Sequence, residues 1–113
     1  MKDFLLIFRS DYKEMPERTE EEKKIVTKKW MDWIGGIAAQ NKLTDRGNRL
    51  ESSGKVLKGG KVITNGPFSE IKESIGGYSI VKAGTYDEAV EIAKGCPIFS
   101  VGGVVEIREI SVL

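Results

Sequence analysis

Histidine is absent from all 113 residues. That removes the commonest general base near neutral pH, the commonest metal ligand and every histidine-containing catalytic triad. A single cysteine, Cys96, excludes an internal disulfide and fits a reducing, cytoplasmic setting. No apolar run is long enough to span a bilayer. The N-terminal apolar stretch in MKDFLLIFRSDYKEM is too short for the core of a signal peptide, and no small-residue cleavage site follows, so it reads as a strand. Neither charge is in surplus: 18 Lys and Arg against 17 Asp and Glu give a formal net charge of +1. Phosphate binding wants basic charge concentrated on one face, so this balance argues against nucleic acid as the main partner. A chain of 113 residues has the length of one domain around one core.

What is there alternates and caps in a readable way. KDFLLIFR (2–9) is apolar on both faces, with Phe4, Leu6 and Phe8 on one and Leu5 and Ile7 on the other. Such a strand is covered on both faces. TEEE (19–22) has the form of a capping box, and its acids suit the positive end of a helix. Val26, Trp30, Trp33, Ile34 and Ile37 follow at helical spacing. Gly35 and Gly36 interrupt the pattern, which suggests a close neighbour such as the sheet. RGNRLESS (46–53) reads as a short polar strand, and KVLKGGKVIT (55–64) as a hairpin turning at Gly59-Gly60. GGYSIVKA (76–83) reads as a strand with Tyr78 and Ile80 on one face and Ser79 and Val81 on the other. TYDE (85–88) is a second capping box. It opens a helix whose predicted inner face is Tyr86, Ala89, Val90 and Ala93, with Gly95 as the C-terminal stop. GVVEIREI (103–110) is the last strand.

The order is strand, helix, strand, hairpin, strand, helix, strand. Two βαβ-type halves predict an α+β fold: a ferredoxin-like βαββαβ sandwich with two helices on one face of a four-stranded antiparallel sheet. The other sheet face is also substantially apolar, and a chain this short has nothing left to cover it. A second copy is the expected cover, giving a homodimer with the open sheet faces together.

The segments W-x-x-W-I-G-G-I-A-A-Q (30–40), NGPFSEIKESIGGY (65–78), YDEAVEIAKGCP (86–97) and GGVVEIREI (102–110) together resemble the YCII-related, or DGPF, domain family. The resemblance runs over nearly the whole chain. It implies ferredoxin-like protomers paired into a dimeric α/β barrel, in a family most of whose members have no established activity. Related members carry a His–Asp pair proposed to be catalytic. Here the motif's leading Asp is Asn65 and no residue is a His, so that mechanism does not carry over. The Pro that often follows the Arg of the final strand is Glu109, at the strand end.

An asparagine keeps the one property an aspartate has in a turn: its side-chain oxygen accepts a bond from an amide just ahead. Asn65, Gly66, Pro67 and Phe68 are therefore read as a structural turn, stiffened by the proline and anchored by the phenylalanine. An amide cannot exchange a proton near neutral pH, so Asn65 is not an acid–base group. Glu106 and Arg108 share a face of the last strand with Val104 and Ile110. If Val105 and Ile107 lie under the helices, this pair faces the dimer side, where charges pair or line a wet pocket. One reading is a Glu–Arg bridge within or between protomers. The other is a pocket in which Arg108 holds a carboxylate-like ligand and Glu106 orients it or takes a proton. Tyr78, Trp30 and Trp33 are candidate pocket residues, against ordinary packing roles. Glu70 and Lys72 read as loop charges near the cavity mouth, and Cys96 as a small buried residue. SSGKVLKGGK lacks the phosphate-loop pattern, and no metal-ligand spacing is visible.

Three functions fit these residues. The first is a cytoplasmic homodimer, with no cofactor and no metal, that binds a small organic molecule beside the sheet. The second is a cofactor-independent isomerase, lyase or oxygenase on a small organic acid, with Glu106 as base, Arg108 as anchor and Tyr78 as donor. The third is a regulatory protein-interaction module. Nucleic acid and membrane are not expected partners.

Overall fold

The strand that is apolar on both faces lies inside the sheet, where its sequence requires it to be. A computed structural model of the protein describes residues 1–11, 17–66 and 74–113. Its elements run β1 (Lys2–Ser10), α1 (Glu20–Ala39), β2 (Leu43–Asp45), β3 (Val56–Lys58), β4 (Lys61–Thr64), β5 (Ser74–Ala83), α2 (Tyr86–Ala93), a 3₁₀ turn (Pro97–Val101) and β6 (Val104–Glu109). Four strands make an antiparallel sheet in the order β2-β5-β1-β6. This is the ferredoxin-like arrangement, with β3 and β4 inserted as a separate two-stranded hairpin. The hairpin turns at Gly59 and Gly60, at φ +59° and +79°, the left-handed pair that a tight β-turn of this kind needs.

Both helices begin where their threonines stand. Thr19 Oγ1 accepts the Glu22 amide at 3.1 Å, and Glu22 Oε1 accepts the Thr19 amide at 3.2 Å, a complete capping box. These bonds to the ionised carboxylate hold Glu22 below the usual carboxylate range. At α2, Thr85 Oγ1 accepts the Glu88 amide at 3.2 Å, but Glu88 reaches one residue further back, to the Gly84 amide at 2.8 Å. The second box therefore closes on the residue before the cap.

Phe4, Leu6 and Phe8 are buried beneath the helices with Val81, Ala83, Ile37, Ala89 and Ile98. Burying a side chain such as Phe4 or Leu6 stabilises the fold by about 1.5–3 kcal/mol. Trp30 and Trp33 close over Phe8, with ring centroids 5.0 and 5.9 Å away, and Tyr86 packs edge-on against Phe4 at 4.9 Å. The Tyr86 hydroxyl also accepts the Glu109 amide at 2.9 Å, tying α2 to β6.

Three sequence expectations are corrected and one is refined. The strand assigned to 46–53 lies earlier, at Leu43–Asp45, and only Arg49 makes an isolated bridge, to Gly77. The reason is local: Asp45 Oδ1 accepts the Gly47 amide at 2.7 Å and Gly47 takes φ +70°, which turns the chain out of the ladder. A Cβ added at Gly35 or Gly36 would meet nothing within 4 Å, so these glycines do not serve close packing in this chain. Gly95 stands where α2 stops, just past the C-cap Lys94, but without a left-handed φ. A Cβ at Gly95 would lie 3.0 Å from Trp33 Cδ1, so the glycine makes room for the indole. Of the face expected of α2, Ala89 and Ala93 are buried, while Val90 is exposed and Ile92 packs against the core instead.

Cys96 is buried, as its sequence context suggests, and burial pushes its thiol from 9.0 up to about 11. Its folded value lies above its unfolded one. The stability it contributes is therefore present below about pH 9 and is lost as the pH rises from there toward about 11. Maleimide labelling at pH 8 is expected to run about a hundredfold or more slower in the folded protein than in guanidinium, from the thiolate fraction alone. Equal rates would show the thiol to be open.

Candidate functional site

The register sets out the open face residue by residue. Paired positions in an antiparallel sheet point the same way. Leu5 is opposite Arg108 on one side and Ile80 on the other, and Ile7 is opposite Glu106 and Tyr78. Two rows thus cross the three strands away from the helices: Arg108–Leu5–Ile80 and Glu106–Ile7–Tyr78. Arg9 continues the face of β1 beside Val104. Val105 and Ile107 pair with Phe8 and Leu6 on the helix side, as the alternation requires. Leu5, Ile7, Tyr78, Ile80 and Glu106 are half-buried within a single chain.

Glu106 lies between two guanidinium groups. Its Oε1 accepts Arg9 Nε at 3.0 Å, and its Oε2 accepts Arg108 Nη1 at 3.4 Å. The side chain of Arg9 is 23% exposed and that of Arg108 is 69% exposed. The shorter, drier contact is the stronger one, because water screens an exposed pair to a small fraction of its Coulomb energy. The Glu–Arg bridge read from the sequence is present, and its tighter member is one the sequence reading missed. Arg9 carried a usable signal, since it shares the parity of Leu5 and Ile7. Its partner, however, stands diagonally across a strand pair, and that requires the register.

Tyr78 is on the same face. Its hydroxyl accepts Asn48 Nδ2 at 3.5 Å, and its backbone amide donates to Asn48 O at 3.2 Å. The chain of 46–50 thus runs along β5 without forming a strand, and Ser79 Oγ donates to Arg46 O at 2.6 Å to hold it there.

The other two candidates are on the opposite side of the sheet. Trp30 and Trp33 stack edge-on to each other at 5.7 Å and belong to the aromatic group over Phe8. The Trp33 indole N–H donates to Ile92 O at 3.1 Å. Trp33 also lines two adjoining open grooves beside α1. One, of about 470 Å³, runs past Lys29, Pro97 and Ser100; the other, of about 450 Å³, past Gln40, Glu88 and Glu91. The tryptophans therefore do not join Tyr78, Glu106 and Arg108 in one site within the chain.

In the turn, exposed Asn65 accepts Lys55 Nζ at 3.5 Å, and Gly66 bonds to Thr64 Oγ1. Pro67, Phe68, Glu70 and Lys72, and any amide that Asn65 caps among 67–73, lie outside the described residues.

These features define a ferredoxin-like α+β chain with one sheet face under helices and the other bearing apolar rows and a cluster of charges. The chain belongs to the YCII-related domain family, whose model matches residues 12–113. Curated proteins give no significant match. Among the described residues no helix is long and apolar enough to cross a membrane.

Proposed function

We propose that this protein is a cytoplasmic, single-domain homodimer that joins through the open sheet face and binds a small organic molecule beside the sheet. One observation carries the reading. Leu5, Ile7, Tyr78 and Ile80 form an apolar platform next to paired charges, and the molecule is a slab only 18 Å thick. A helix is about 10 Å across and packed layers lie about 10 Å apart, so among the described residues this depth holds the helices and the sheet with no third layer. A wide, partly apolar face of this kind marks an interaction surface. A second copy brings a second such platform, and the charges between them favour a pocket that is polar at one end.

Binding is favoured over catalysis by Glu106. Both of its carboxylate oxygens are already in contact with guanidinium groups, so taking a substrate proton means breaking a pair. Native mass spectrometry on freshly purified protein tests the ligand. The expected result is a dimer carrying extra mass that is released on denaturation. A ligand-free dimer whose interface is packed without a cavity would overturn the binding function.

A further inference from the structure

We propose that Arg9, Glu106 and Arg108 make the open face selective for a monocarboxylate with a flat apolar body, with Arg108 holding the carboxylate and Arg9 positioning Glu106. This rests on the small-molecule reading above and names its ligand class.

On this face β1, β5 and β6 present the cations Arg9, Lys82 and Arg108 and the acids Asp3 and Glu106. Asp3 stands opposite Lys82, and its Oδ1 also accepts Thr44 Oγ1 at 2.6 Å. Glu106 reaches Arg108 through a single contact at 3.4 Å while Arg9 holds it at 3.0 Å, so it does not neutralise Arg108 in full. A guanidinium is a permanent cation in a protein. Its complement is one negative charge.

The geometry assigns that charge to Arg108. Glu106 is held at 3.0 Å by Arg9, whose side chain is 23% exposed. Its contact to Arg108 is longer, at 3.4 Å, uses one nitrogen, and leaves the Arg108 side chain 69% exposed. A planar guanidinium presents paired N–H groups that match a carboxylate in a two-bond fork. Arg9 thus engages Glu106 more closely, and Arg108 turns its fork to the ligand. Glu106 has a second effect. Its fixed negative charge borders the carboxylate site and repels a second acid group on the same molecule, which disfavours dianions.

The apolar row sets the rest of the molecule. Leu5 follows Arg108 across the sheet and Ile80 follows Leu5. Two strand spacings amount to about 10 Å, which accommodates one ring with a carboxylate attached. Tyr78 in the adjacent row offers a hydroxyl to a polar group at the far end.

Calorimetric titration of the intact protein at low salt tests this with benzoate, its neutral counterpart benzamide and the dianion phthalate. Benzoate is expected to bind at least about tenfold more tightly than either. Arg108→Gln is expected to bring benzoate down to the level of benzamide. Arg9→Gln is expected to weaken benzoate, because Glu106 then closes on Arg108. Adding Glu106→Gln to Arg9→Gln is expected to restore it, a rescue that a merely structural role for Arg9 does not give. Glu106→Gln alone is expected to shift preference toward phthalate. Thermal melts establish that each variant is folded. Benzamide binding as well as benzoate would overturn the carboxylate class and leave the small-molecule pocket standing. Phthalate binding as well as benzoate, or no rescue in the folded double variant, would overturn the division of roles. No binding of any probe by a dimer that retains a natural ligand would overturn the ligand class alone. No binding by a dimer that retains none would remove both.

Discussion

Gly47→Ala is expected to cost about 3–5 kcal/mol, and with it about 10–20 °C of thermal midpoint for a chain of this size. Two causes add. Gly47 sits at φ +70°, where any residue with a Cβ is strained by about 1 kcal/mol or more. The added carbon would also fall 1.7 Å from the Tyr78 carbonyl oxygen and 2.6 Å from its carbon. Backbone atoms on a central strand cannot step aside as a side-chain tip can. The 46–50 segment must lift off β5, losing the Ser79–Arg46 and Tyr78–Asn48 bonds. Tyr78 on the open face is then released as well. Gly35→Ala is the control. It lies in α1 with nothing within 4 Å of the added carbon, so helix propensity predicts a gain of about 1 kcal/mol. Denaturant melts of the two variants should move in opposite directions. A neutral Gly47→Ala would mean that this segment does not pack on Tyr78 as described.

In the proposed homodimer, Ile7→Asp is expected to raise the dissociation constant by at least about a thousandfold while leaving the protomer folded. Ile7 lies on the open face, between Glu106 and Tyr78 in register, and is half-buried in the single chain. In a two-fold dimer every substitution enters the interface twice. An unpaired carboxylate confined between two sheets costs several kcal/mol, and the adjacent Glu106 adds repulsion. The core is untouched, because Phe4, Leu6 and Phe8 point the other way. Leu6→Asp, one residue along and fully buried, should instead abolish folding. Light scattering combined with circular dichroism separates the two outcomes. An Ile7→Asp protein that stays dimeric would place the contact elsewhere.

The parts legible in the sequence were those determined locally. Period-two alternation gave both faces of β1, the threonine–glutamate spacing gave both helix starts, and Gly59-Gly60 gave the hairpin turn. The parts missed depend on contacts distant in the chain. β2 stops at Asp45 because an Asx turn and a left-handed glycine fit the chain against Tyr78, and neither contact shows in a polar run. Gly95 is small because Trp33 stands 62 positions earlier in the chain yet beside it in space, a relation no capping rule contains. The candidate site divides in the same way. Parity placed Glu106 and Arg108 on one face of β6, and the register brought Tyr78 of β5 to that same face. Arg9 entered only through the β1–β6 register, and Trp30 and Trp33 proved to cover Phe8 on the other side of the sheet. The turn motif was informative through its composition, since Asn65 cannot do the acid–base work of an aspartate.

The most direct test is sedimentation equilibrium of the purified wild-type protein at low micromolar concentration. An open face covered by a second copy predicts a single species of twice the 12.5 kDa chain mass. A species of 12.5 kDa would contradict it, leaving the apolar rows of β1 and β5 facing water and the proposed pocket without its second wall.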